Sequence, residues 1–384
     1  MRTLALSLAL SVIGGSVGAR TPQPWSPARL ASYEGIPAGA PSHVIARGPR
    51  TRGLPVAARQ IGEVNWTWRG RAFTLQSYMA AYHVSGVIAL KDGQVVLETF
   101  GLGRGPADRW VSQSVAKSIT SLLAGAAILQ GKLDPDANLT TYVPELKGTS
   151  WDGVTFRQLA MMSAGVAWDE NYLDPKADLQ RYYDVVLSGG DEVAGFLGKL
   201  PRAHPPGSTF HYDTAEAHLA GLVVSRAVGM PLADYLSKTI WEPYGMERDA
   251  LWMTDFKGRE FAGCCLYATL ADYARIGQFV LDGGRIEGAQ VVDPAWLAAS
   301  TRVEISNGRP PPFGYGYLWW IGPQAYEASG IYGQSIIVYP KDHLVIAINS
   351  AWDKPDDPDD FAALAAFQEA VRAAANQLKE SAPR

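Results

Sequence analysis

Cysteine is nearly absent. The 384 residues hold two, Cys264 and Cys265, and they are neighbours. Two cysteines make no disulfide framework, and without a third or fourth there is no zinc–thiolate site. A bridge between sequence neighbours is disfavoured by disulfide geometry, so both are expected as buried free thiols. Histidine is scarce too: six are scattered along the chain, with no H-E-x-x-H. There is no Walker-type glycine loop and no G-x-G-x-x-G following a strand. Neither charge sign dominates: 34 Lys and Arg face 38 Asp and Glu, a net charge of −4, with no basic run. Nucleic acid and anionic membrane surfaces are therefore not expected as partners. The chain has no internal repeat, which argues against a solenoid or propeller. No metal or organic cofactor is implied.

What is present is a globular composition, 47% hydrophobic and 19% charged. The length suits one large two-part domain with a sizeable core. Residues 1–19 carry a secretory pattern: Met1-Arg2, an apolar stretch from Thr3 to Val12, and small residues Val17-Gly18-Ala19 before Arg20. The stretch is short for a membrane span and contains Gly14 and Gly15, so a cleaved signal is expected, leaving no stable anchor. An exported protein, periplasmic or secreted, follows. Residues 20–60, rich in Pro, Gly, Ala and Arg, read as an extended, weakly ordered lead-in. Residues 61–384 read as one catalytic domain.

Within that domain, the apolar runs 86–90 and 94–98 flank Asp92-Gly93 and predict a hairpin. Apolar residues at helical spacing predict a helix over 118–130, ended by Gly131. Residues from about 140 to 260 read as mostly helical, with Thr155 capping one helix and further helices over 215–228 and 232–241. A helix over 270–281, strands over 314–320, 335–339 and 344–349, and a closing helix over 361–378 complete the pattern. The fold class is α+β: an antiparallel sheet built from both chain ends, flanked by helices, with an inserted helical region. The acidic, proline-broken run from Lys354 to Asp360 reads as a solvated loop without an EF-hand pattern.

Ser114-Val115-Ala116-Lys117 opens the first strong helix, and no other serine has Lys three residues on. At a helix N-terminus this spacing puts both side chains on one face. The amine can then take the serine proton if burial lowers its pKa, and the helix end offers a backbone N–H to an oxyanion. The combination marks a nucleophilic serine with a lysine base or relay.

The stretch from Trp110 to Ser118 resembles the active-site segment of class C β-lactamases, penicillin-binding proteins and their esterase and amidase relatives. So do Leu129 to Asp136, Thr155 to Leu159, and Ser163-Ala164-Gly165. This family implies the β-lactamase/transpeptidase-like fold. It also implies a second element, Y-x-N or Y-x-S. Tyr235-Leu236-Ser237 fits literally but lies in a predicted helix and is set aside. Tyr212-Asp213-Thr214, after Pro206-Gly207 and before a helix, takes the family's position, with Thr214 where Asn or Ser is usual. The third element, a Lys or His followed by x-Gly, is matched by Ala328-Ser329-Gly330, so the cation that holds a substrate carboxylate is missing. By the same resemblance, the Ser114 and Ile331 backbone N–H groups form the oxyanion hole.

Residues 168–175, 270–277 and 330–334 are most similar to 6-aminohexanoate-dimer hydrolases, the nylon-oligomer amidases, with family VIII esterases as further relatives. There the Tyr matched by Tyr172 hydrogen-bonds the substrate amide, and Tyr332 replaces a His. The expected activity is serine hydrolysis of a small-molecule amide or ester by Ser114, Lys117 and Tyr212. Tyr172, Thr214, Gly330 and Tyr332 contact substrate. A carboxylesterase, a weak β-lactamase or D-Ala peptidase, and a non-catalytic penicillin-binding-like protein are the alternatives. The base, Lys117 or Tyr212, and a homodimer are left open.

Overall fold

Alternation along the strand Leu344–Ser350 sets the layers of the molecule. Val345 and Ala347 join one apolar cluster with Ile88, Leu90, Ile336 and Val338, whereas Leu344, Ile346 and Ile348 join another with Val87, Ala89 and Ile337. Successive side chains leave a strand on opposite faces, so this sheet is covered on both sides. Helices Val115–Leu129 and Leu270–Leu281 lie on the first face, and Leu75–Ala81 and Pro358–Asn376 on the second. Each large apolar side chain buried this way contributes roughly 1.5–3 kcal/mol.

The computed structural model describes residues 26–378, and the expected signal segment lies outside them. Seven antiparallel strands run in the order Gly314–Tyr315, Trp320–Ile321, Tyr326–Gly330, Gln334–Tyr339, Leu344–Ser350, Val84–Lys91 and Gln94–Phe100. The chain ends meet at the centre, where Ile346 pairs with Ala89. The Asp92-Gly93 turn is as expected: both residues have positive φ, 51° and 75°, as a two-residue hairpin requires. A second sheet orders Ser42–Ile45, Ala250–Met253, Leu266–Thr269 and Arg109–Val111. Between the two halves of the sequence sit helices Phe156–Ala160, Asp178–Leu187, Thr214–Val228 and Leu232–Leu236.

Two expectations are corrected. Residues 26–60 are not a weakly ordered lead-in: Pro27–Glu34 is a helix capped by Ser26, and Ser42–Ile45 pairs with Ala250–Met253. Tyr33 anchors that helix by stacking on Trp110 at 5.1 Å. The single strand expected over 314–320 is two short strands, because the chain reverses at Leu318, whose φ is 61°. A side chain at Gly316 would meet the Ser300 carbonyl at 2.2 Å, so the bend passes too close to that backbone for any other residue.

Candidate active site

Ser114 stands where the strand Arg109–Val111 turns into the helix Val115–Leu129. The turn is made by Gln113, at φ 45°. A serine at a helix N-cap usually accepts a bond from the first-turn backbone. The Ser114 side chain makes none, and its Oγ lies 2.9 Å from Lys117 Nζ. The Ser114 N–H also reaches no backbone carbonyl among the described residues, which leaves it available to an oxyanion.

Lys117 is 2% exposed. Burial pushes its amine down to about 8, against the opposing charges of Glu170 and Asp213. Besides Ser114, Nζ contacts the Gly263 carbonyl at 2.9 Å and Thr214 Oγ1 at 3.1 Å. A carbonyl can only accept. Thr214 donates its hydroxyl hydrogen to Glu170, so its oxygen accepts from Lys117. A neutral amine has two N–H bonds and one lone pair. In the charged form Nζ donates to Ser114 Oγ, Thr214 Oγ1 and the Gly263 carbonyl; in the neutral form, with Gly263 and Thr214 taking the two N–H bonds, the lone pair faces the Ser114 hydroxyl.

Glu170 was not singled out from the sequence. Its carboxylate accepts from Trp168 Nε1, from Tyr172 Oη at 2.9 Å, from the Thr214 N–H at 3.0 Å and from the Thr214 hydroxyl. It fixes both Tyr172 and Thr214, which in turn bonds Lys117. Replacing Glu170 by Gln removes a charge that raises the Lys117 pKa. The acid limb of the rate–pH profile then moves to lower pH. The plateau rate falls about tenfold, matching the weakening of a charge-assisted hydrogen bond. Steady-state kinetics across pH measure both effects.

Tyr212 directly precedes Asp213, whose carboxylate caps the helix Thr214–Val228 by accepting from the Ala215 N–H at 2.7 Å and the Glu216 N–H at 3.2 Å. This cap is what places Tyr212 at the site. Its ring centroid is 5.0 Å from Lys117 Nζ, it stacks on Trp320 at 5.5 Å, and the Ser114 side chain near its hydroxyl favours the ionised form slightly. Burial, then the Glu170 charge, push its pKa well up, so it holds its proton. Opposite, a methyl group on Gly330 would lie 3.0 Å from the Ser114 nitrogen, the Ser112 carbonyl and Gln113 Cβ. Absence of a side chain there lets the end of the strand pass close to the Ser114 backbone. Among the described residues no cluster of three His, Cys, Asp or Glu is arranged to hold a metal ion.

Comparison with known proteins bears on this arrangement. A sequence model of the Beta-lactamase family matches residues 73–370. The chain belongs to the β-lactamase family. It is 30% identical over 293 residues to the 6-aminohexanoate-dimer hydrolase of Paenarthrobacter ureafaciens, covering 70% of this chain and 73% of that protein. It is 31% identical over 147 residues to Esterase EstB of Burkholderia gladioli, covering 35% of this chain and 36% of the esterase. A solved Bacillus anthracis structure, provisionally described as a 6-aminohexanoate-dimer hydrolase, superposes with a TM-score of 0.82 at 24% identity, over 94% of this chain and 98% of that one. At that identity the superposition speaks to the fold alone. As a β-lactamase-family chain with these relatives, the protein is a serine hydrolase.

Against the family's pattern, Ala328 is buried on the strand Tyr326–Gly330, paired with Ile336, and supplies no cation. Tyr332, at φ 61°, has its ring edge-on to Tyr33 at 5.9 Å and beneath Arg29 at 5.6 Å, which ties it to the N-terminal helix. Tyr235, the literal match set aside, is buried inside the helix Leu232–Leu236. The free-thiol expectation is overturned: Cys264 and Cys265 form a disulfide, with an S–S distance of 1.99 Å. Both are buried in the segment that carries the Gly263 carbonyl to Lys117.

Proposed function

We propose that this hydrolase cleaves a small linear amide through an acyl-enzyme on Ser114, with Lys117 as the base. The observation that carries the reading is the bonding of Lys117, whose two N–H bonds are engaged by Gly263 and Thr214. Its lone pair accepts the Ser114 proton as Oγ attacks the carbonyl. The Ser114 and Ile331 N–H groups receive the oxyanion, a contribution of roughly 3 kcal/mol per donor. Tyr212, protonated and beside Ser114, passes a proton to the leaving nitrogen and regains it from the attacking water. Lys117 then returns its proton to Ser114 Oγ as the acyl group leaves as a carboxylic acid. Tyr172, whose hydroxyl hydrogen goes to Glu170, accepts from the substrate amide N–H.

A substrate without a carboxylate near the scissile bond fits the absence of a cation at Ala328. A linear amide fits the likeness to a 6-aminohexanoate-dimer hydrolase. Ranking kcat/KM for a 6-aminohexanoate dimer, short-chain aryl esters and cyclic β-lactams tests the choice. The linear amide is expected first, and an ester ranked first would make the protein a carboxylesterase. In the same assay, Ser114→Ala is expected to abolish turnover while the protein stays folded.

We further propose that the protein is exported. The signal-like residues 1–19 support it, as does the Cys264–Cys265 bond, since disulfides persist in oxidising compartments. Fractionation with mass analysis of the mature N-terminus checks this.

A further inference from the structure

The segment from Phe261 to Leu266 runs past the helix Val115–Leu129 and touches it repeatedly. The Ala262 carbonyl accepts from Thr120 Oγ1 at 3.0 Å, and the Gly263 carbonyl accepts from Lys117 Nζ at 2.9 Å. The next two carbonyls face away from the helix. Cys264 O accepts from Trp252 Nε1 at 3.1 Å, and Cys265 O accepts from the Met253 N–H at 3.0 Å. The chain therefore rolls over between Gly263 and Cys265. That roll puts Cys265 at φ 68°, a left-handed conformation a residue with a Cβ seldom adopts. Gly263 itself has no room for a side chain, since a methyl there would meet His218 at 2.7 Å. A covalent link joins the two residues that make the roll.

We propose that the Cys264–Cys265 disulfide is a positioning element for Lys117. It holds the turn that points the Gly263 carbonyl at Nζ, and opening it with a dithiol reductant slows acylation of Ser114. In that step the dithiol becomes a cyclic disulfide, and Cys264 and Cys265 each gain a hydrogen, two electrons and two protons in all. The Gly263 carbonyl is then free to turn, one N–H of Lys117 loses its acceptor, and the lone pair no longer stays on the Ser114 hydroxyl. The proposal rests on Ser114 as nucleophile and Lys117 as base.

The test follows the rate of Ser114 phosphonylation by a fluorophosphonate probe, a stand-in for acylation that uses the same activated Oγ, in the native protein, after reduction with dithiothreitol, and after reoxidation. A Cys264→Ala, Cys265→Ala double variant runs alongside. Alkylation under denaturing conditions counts the thiols at each stage. The expected result is no thiol before reduction and two after it. Acylation falls about tenfold or more on reduction and returns on reoxidation, and the double variant stays slow. With a turned-over substrate, kcat falls while KM stays within about twofold, a split that general loosening of the fold would not give. Where the double variant fails to fold, reversible reduction of the native chain decides. Two thiols in the unreduced protein, or equal acylation with the bond open and closed, overturns the proposal while leaving Ser114 in place. A native protein with the bond intact that takes no adduct overturns the Ser114 reading, and this proposal with it.

Discussion

Replacing Lys117 by Met lowers the rate of Ser114 acylation by about 10³-fold, within the range that a positioned general base supplies. Methionine keeps much of the lysine's length and volume in a site that is almost fully closed to solvent. It offers no lone pair basic enough to take the serine proton and no N–H for Gly263 or Thr214. Substrate binding depends on other groups, so KM changes far less than kcat. Stability does not suffer in proportion, because a buried amine with a lowered pKa is itself costly to bury. Single-turnover labelling, steady-state kinetics and thermal unfolding together separate these effects. A variant that acylates within threefold of the native rate would leave Tyr212 as the base.

Gly330→Val carries the second large effect. Already the first carbon of a side chain would lie 3.0 Å from the Ser114 nitrogen and from the Ser112 carbonyl, and both are backbone atoms that cannot swing aside. Two further methyl groups push the end of the strand Tyr326–Gly330 away from the nucleophile and carry Ile331 with it. One oxyanion donor is then misplaced. A loss of about 10²–10³-fold in kcat is expected, as for deletion of a donor of this kind. Thermal unfolding is expected to shift much less, because Gly330 ends its strand and the ladder to Gln334–Tyr339 remains. Equal loss of kcat and stability would mean that the glycine serves packing alone.

The sheet and the pairing of Ser114 with Lys117 were legible in the sequence because both are written locally. The continuous apolar run over 344–348 and the Asp92-Gly93 turn need only neighbouring residues. The helix Leu270–Leu281 has the bounds its periodicity predicts. Ser114 and Lys117 are three residues apart, and the helix does the rest. Glu170 was missed because a lone loop carboxylate carries no period. Its meaning comes from Thr214, 44 positions away. The state of Cys264 and Cys265 was misread because nothing in two adjacent letters encodes the left-handed backbone at Cys265. The helix Pro27–Glu34 was hidden by a Pro- and Arg-rich composition, although Ser26-Pro27 is a cap followed by proline at the first helical position.

The central claim is that a neutral Lys117 activates Ser114. Its most direct test is the pH dependence of Ser114 phosphonylation by a fluorophosphonate, with the adduct located by mass and absent in Ser114→Ala. Lys117 accepts a proton only when uncharged, and it is uncharged above its pKa, which burial sets at about 8. The rate should therefore rise with pH through an apparent pKa near 8 and level off above it, and this rise should vanish in Lys117→Met. A rate that is flat or falls between about pH 6 and pH 10, or an adduct on another residue, would contradict the account.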